Sequence, residues 1–285
     1  MHLPYLAFLL SLTFSCTITP NPTIPVSDSD FSHSEFDTFL HQHVDESGLI
    51  DYPVLLKERP NLDRYIARTA HVSPDSHPAL FARESDRLVY WINAYNAATI
   101  NQILAYYPIA NVGDVKPPWY GFFFPQRSGF FLFTRSLYGG RALSLYYLEN
   151  SIIRKRFKEP RIHFALNCAS RGCPRLPRGA FSSEHLDEEL DREARFFFSE
   201  ARNLSIDREQ RQIRLSEILK WFESDFTDWL GEQGQEGTIL EYVRRYVSAE
   251  VDEEQNQAKD YEITYKPYDW GLNDRALQQT PDAAH

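Results

Sequence analysis

From Ala79 to Tyr107 the chain carries its longest helical pattern, unbroken by proline until Pro108. Within it, Tyr90-Trp-Ile-Asn-Ala-Tyr-Asn-Ala-Ala-Thr-Ile100 has the composition of a core, so the pattern predicts a central helix around which everything else must pack. Asn93 and Asn96 sit three residues apart on one face of it, among Trp91, Ile92, Tyr95 and Ala97. Burying an amide without partners costs about 1 to 3 kcal/mol, so something must satisfy both side chains. Either they bond the backbone of a packed loop, or that loop is Asn167 to Cys173 and they orient a thiol or a substrate carbonyl.

The flanking segments supply a layer of helices. Phe36, Phe39, Leu40 and Val44 form a stripe ended by Gly48, and Pro53 opens a second helix with Leu55, Leu56, Leu62, Tyr65 and Ile66 inside. Arg68 to Pro78 reads as a loop. Val112 to Gly140 is aromatic and rich in turn residues, with Gly139-Gly140 suited to a hairpin. Ser144 and Ser182 or Ser183 are candidate caps of later helices, the second with a stripe of Leu186, Leu190, Ala194 and Phe197. Asn203 to Arg208 and Gln212 to Ser216 read as a hairpin, and Glu262 to Pro267 as a last strand. The pattern predicts an α+β fold: a helix-rich single domain over 31–274, its long central helix packed on a small, mostly antiparallel sheet, with a loose tail at 275–285.

The candidate reactive centre is Arg161-Ile-His-Phe-Ala-Leu-Asn-Cys-Ala-Ser-Arg-Gly-Cys-Pro-Arg-Leu176. It reads as an apolar strand breaking into a loop that holds Cys168 and Cys173. A cysteine nucleophile needs a depressed pKa, a base and access to solvent. Arg171 and Arg175 supply cations, and His163 is the nearest base. Five residues of strand would carry His163 about 16 Å from Cys168 and onto the opposite face, at about 3.3 Å per residue. Only a loop folding back would join them; His185 is the second candidate. The competing reading bonds the two cysteines to each other, which would stabilise by only about 2 kcal/mol through chain entropy and act mainly on local shape.

Met1 to Cys16 is an apolar run of signal-peptide length, too short to span a bilayer. Leu12-Thr-Phe-Ser-Cys16 is similar to a lipoprotein signal with Cys16 as the lipid site; an ordinary cleaved signal with an incidental cysteine is the other reading. Residues 17–30, rich in Thr, Pro and Ser, read as a flexible tether. Both readings predict export, to the periplasm or to a lipid-anchored position at the cell envelope, with membrane contact only through that anchor.

Several motifs together are quite specific. Gly48-Leu-Ile-Asp-Tyr52, Tyr90 to Ala97, Leu145-Tyr-Tyr-Leu-Glu149 with Arg154, Arg161 to Leu176, Leu215 to Phe226 and Tyr268-Asp-Trp-Gly-Leu-Asn273 are similar to those of the family known as domain of unknown function 547, found in bacterial exported proteins and in plants. The resemblance runs from about Phe31 to Asp274 and implies no settled activity. Where such sequences usually carry Ile-Glu-His, this chain has Leu148-Glu149-Asn150, so were that histidine a general base, this chain would lack it.

A net charge of −10 supplies no clustered cations for a phosphate backbone and argues against nucleic acid as a partner. The Cys-x4-Cys spacing lacks two further ligands for zinc, and no Gly-rich phosphate loop occurs, so neither a metal nor a cofactor is expected. Two functions remain. One is a thiol-dependent hydrolase or acyltransferase with Cys168 or Cys173 as nucleophile, His163 as base, and Asn93, Asn96, Asn167, Arg171 and Glu149 positioning the substrate. The other is a non-catalytic envelope binding or scaffold module, its cysteines bonded, that takes a small-molecule or peptide ligand into an aromatic cleft.

Overall fold

The computed structural model describes residues 16–121, 123–235 and 237–278. The leader expected at Met1–Cys16 therefore lies outside them except for Cys16, which is partly exposed and unpaired. The chain opens with strand β1 (Thr17–Ile18), then α1 (Ser34–His43), α2 (Tyr52–Leu55), α3 (Pro60–His71) and α4 (Glu84–Tyr106). Residues 17–20 thus lie along the domain, where a tether was expected: Thr19 N–H donates to the Arg135 carbonyl at 2.9 Å. Asp51 caps α2 by accepting from Val54 N–H, and Pro60 begins α3, so the expected second helix is two helices. α3 runs on to His71, because its buried face continues through Ala67, Thr69 and Ala70 into what read as loop.

Every residue of α4 from Leu88 to Leu104 is buried, which makes it the core helix its composition predicted. Next come a hairpin, β2 (Thr134–Tyr138) and β3 (Arg141–Ser144), turned by Gly139 and Gly140 with φ of +55° and +82°. Ser144 Oγ then accepts from Tyr147 N–H at 3.2 Å, capping α5 (Leu145–Tyr147). This helix widens to π-helical pitch over Leu148–Ile153 and closes as α6 (Arg154–Phe157).

Arg161 to Leu176 is not the strand its alternation suggested. Pro160–Phe164 is a 3-10 turn, started by Pro160 and by the Glu159 carboxylate accepting from Arg161 N–H, and the chain beyond it is irregular. Residues 162–167 are all buried, for this turn lies between two apolar clusters. Ile162, Ala165 and Leu166 join the first, around α1, α3 and α4; Phe164 joins the second. In a segment covered on both sides, alternating apolar residues do not mark a strand.

The second cluster is built from α7 (Leu186–Ser199), β4 (Leu204–Asp207), β5 (Gln212–Ser216), α8 (Glu217–Trp221), α9 (Glu223–Glu232), α10 (Ile239–Arg244), α11 (Ala249–Gln257) and β6 (Glu262–Lys266). α7 begins at Leu186 with no side-chain cap; Ser182 instead donates its N–H to Glu189. α12 (Arg275–Gln278) follows. The α+β reading holds, with one correction: the described strands form two small mixed sheets. Each has an antiparallel hairpin, β2–β3 or β4–β5, extended by a parallel neighbour, β1 on β2 and β6 on β5. Among the described residues no helix is long and apolar enough to cross a membrane.

Candidate functional site

Asn96 fixes where the cysteine loop starts. Its amide donates to the Ala165 carbonyl and accepts from Asn167 N–H, both at 2.9 Å, so one side chain pairs with the backbone as a strand would. Asn93 does the same for a different segment, donating to the Phe181 carbonyl at 2.9 Å and accepting its N–H at 3.0 Å. Both amides are buried and satisfied. Of the pair, only Asn96 reaches the cysteine loop, and it holds backbone there.

Asn167 carries that support into the loop, accepting from Ala169 N–H at 2.9 Å and donating to the Pro174 carbonyl at 2.7 Å. The segment before α12 closes over the other edge: Arg171 N–H donates to Gly271, Gly172 N–H to Asp269, and Asn273 N–H to Ala169. Gly172 allows that approach, since a Cβ there would lie 2.9 Å from the backbone N and O of Asp269 and from the Tyr268 ring. Gly172→Ala should therefore lower stability by about 2 kcal/mol, read as a lower urea midpoint, by forcing these segments apart.

Cys168 and Cys173 are joined by a disulfide, with Cα atoms 6.1 Å apart. The Tyr268 hydroxyl lies 3.0 Å from Cys173 Sγ and 3.1 Å from Cys168 Sγ, and Cys168 N–H donates to Cys173 Sγ at 3.0 Å. The bond forms part of the wall of a cleft of about 190 Å³, whose lining also includes Tyr95, Leu166, Trp221, Phe222 and Trp270. Trp221, Tyr268 and Trp270 pack ring against ring, with centroids 4.4 to 5.7 Å apart. Arg127 lies over the Trp270 ring, 3.5 Å from its centroid.

Glu149 is the acidic side chain in this apolar lining. Burial pushes its carboxyl up to about 7, against the opposing effects of Arg154 and of the Tyr95 hydroxyl 3.5 Å away, while Asp225 adds to the rise. His163 lines the same cleft, so the 3-10 turn brings together His163 and the cysteines, which a strand would have separated. Its ring stacks on Phe222 at 4.0 Å and its Nε2 is 2.8 Å from Asp225 Oδ2. Burial pulls the His163 pKa down although Asp225 opposes it, so the ring is neutral and Nε2–H donates. Burial also works against the Asp225 charge, but hydrogen bonds from His163 and from Arg154 at 2.7 and 2.8 Å outweigh it and hold that carboxyl far below its usual range. Asp225 thus orients the His163 ring through Nε2–H, and Nδ1 is the ring nitrogen left to accept a proton.

The remaining expected residues lie elsewhere. Arg171 is exposed and paired with Asp269 at 3.0 Å, facing an adjoining hollow of about 380 Å³ that shares Cys173, Pro174 and Tyr268 with the cleft. His185 stands at the exposed start of α7, beside Glu188. In the sequence Tyr95 and Trp221 read as core aromatics, and Tyr268 and Trp270 carry no sign of a site; aromatic clustering around a buried acid is visible only once the chain folds.

No curated protein and no solved structure matches the chain. Residues 80–198, which hold α4, Glu149, His163 and both bonded cysteines, match the model of the family described as "Protein of unknown function, DUF547", and this stretch of the chain belongs to that family.

Proposed function

We propose that this chain is a binding protein whose cleft takes an aromatic or apolar small molecule, or a peptide side chain, bearing one cationic or hydrogen-bond-donating group. The observation that carries this reading is the Glu149 carboxyl set in an aromatic wall, an arrangement that favours a ring for the lining and a donor for the acid. With both sulfurs in one bond, a cysteine nucleophile would first need that bond opened, so the geometry favours binding over thiol-dependent hydrolysis or acyl transfer.

Benzylamine is a suitable probe, an aromatic ring with a single cation. Titrating it at pH 8 should change the tryptophan fluorescence saturably, because Trp221 and Trp270 line the cleft. Trp221→Ala should weaken binding about tenfold or more, the loss of a large aromatic contact. A linear response in the wild-type chain, or an unchanged affinity in Trp221→Ala, would reject this site.

A further inference from the structure

The Cys168–Cys173 disulfide is structurally redundant in a way that invites a chemical role. Its loop is already held by the two Asn167 side-chain bonds and by backbone bonds to Gly271, Asp269 and Asn273, none of which needs the sulfur bridge. So short a loop also gains little from closure. The bridge instead lies in the wall of a cleft, one sulfur residue buried and the other partly exposed.

We propose that this disulfide is a thiol–disulfide exchange centre in which an incoming apolar or aromatic thiol attacks Cys168 Sγ and Cys173 Sγ is the leaving group. The asymmetry is built by the backbone and by exposure. Cys168 N–H donates to Cys173 Sγ at 3.0 Å, ready to hold the charge it acquires, and the Tyr268 hydroxyl, 3.0 Å from Cys173 Sγ and 3.1 Å from Cys168 Sγ, can donate to whichever sulfur leaves. Cys173 is 4 % exposed, whereas Cys168 is the more open of the two. Burial raises the Tyr268 hydroxyl far above its usual range, so it remains a donor at any physiological pH.

The attacking thiol gives its proton to the Glu149 carboxylate in the same lining, its sulfur bonds Cys168 Sγ, and the Cys168–Cys173 bond breaks with its electron pair passing to Cys173 Sγ. If the ligand is a dithiol, its second thiol attacks its own first sulfur and expels Cys168 Sγ, which takes that thiol's proton, while the proton held by Glu149 passes to the Cys173 thiolate. The ligand leaves as a disulfide, and the protein holds two thiols in its place. Two electrons move from dithiol to protein.

The choice of an apolar thiol rests on the cleft reading above; the exchange itself does not. The test treats the full chain, under native conditions, with 2-mercaptoethanol and with benzyl mercaptan, quenches with acid and maps the mixed disulfide by mass spectrometry. The adduct is expected on Cys168, with benzyl mercaptan reacting faster, and Tyr268→Phe should slow reduction about tenfold by removing one charge-assisted hydrogen bond. An adduct on Cys173, a disulfide reduced only when denaturant unfolds the chain, or a Tyr268→Phe chain reduced as fast as wild type would overturn the proposal. Benzylamine binding in the unreduced wild-type chain separates the two ideas: if it persists while the disulfide is inert, the cleft stands and the exchange falls. If the disulfide exchanges on Cys168 but equally fast with both thiols and no benzylamine binds, the exchange stands and the cleft's ligand preference falls.

Discussion

Glu149→Gln is expected to stabilise the folded chain by about 2 kcal/mol at pH 8 and to change it little at pH 5. The Glu149 carboxyl is pushed up to about 7 in the folded state, from an ordinary value of 4.5. Between those values the folded chain binds more protons than the unfolded one. The favourable contribution is therefore complete below about 4.5 and is lost as pH rises through about 7, where the chain must keep an anion in an aromatic wall. The full shift would correspond to more than 3 kcal/mol, at about 1.4 kcal/mol per pKa unit, and partial solvent access reduces it. Thermal melts should show a rise of roughly 4 °C for Glu149→Gln at pH 8. The groups facing Glu149 do not reproduce this effect. Asp225 is held far below its usual range and His163 is pulled down from its own, while Arg154, Tyr95 and Tyr268 are raised. A residue that costs the fold stability at neutral pH and stands in a cleft is better explained by what it binds than by what it packs.

Asp225→Ala should lose about 3 kcal/mol or more, seen as a lower urea midpoint with an unchanged slope. Asp225 on α9, within the second cluster, receives both arms of Arg154 from α6 and the Nε2–H of buried His163 from the 3-10 turn. Removing it strands a partly buried guanidinium and a buried imidazole donor together, at the place where the two apolar clusters meet. Asp225→Asn, which keeps the volume and one acceptor, should recover part of the loss. The Asp225→Ala variant should also reduce the pH effect at Glu149: with Asp225 gone, Arg154 is left to act on Glu149 alone and lowers its pKa.

Much of the helical frame was legible because the relevant signals are local. The Ser144 cap, the Gly139-Gly140 turn and the continuous core character of α4 each depend on neighbours a few residues away. The Asn93 and Asn96 question was legible too, since a buried amide demands partners, although the sequence could not say that the two hold different segments. The Arg161 to Leu176 segment misled because alternation of Ile162, Phe164 and Leu166 has the same appearance in a strand and in a turn wedged between two cores. The same error placed His163 on the wrong side of Cys168. The cleft itself was not legible: Tyr95, Glu149, Trp221 and Tyr268 come from α4, the π-helical stretch, α8 and the crossing before α12, and only tertiary packing unites them.

The most direct test of the central idea, that Glu149 makes this cleft a binding site, is the pH dependence of the benzylamine Kd. The account predicts an affinity that weakens as pH falls, with a midpoint near or somewhat below 7, and that loses this dependence in Glu149→Gln. An affinity flat with pH, or one whose pH dependence survives in Glu149→Gln, would contradict it.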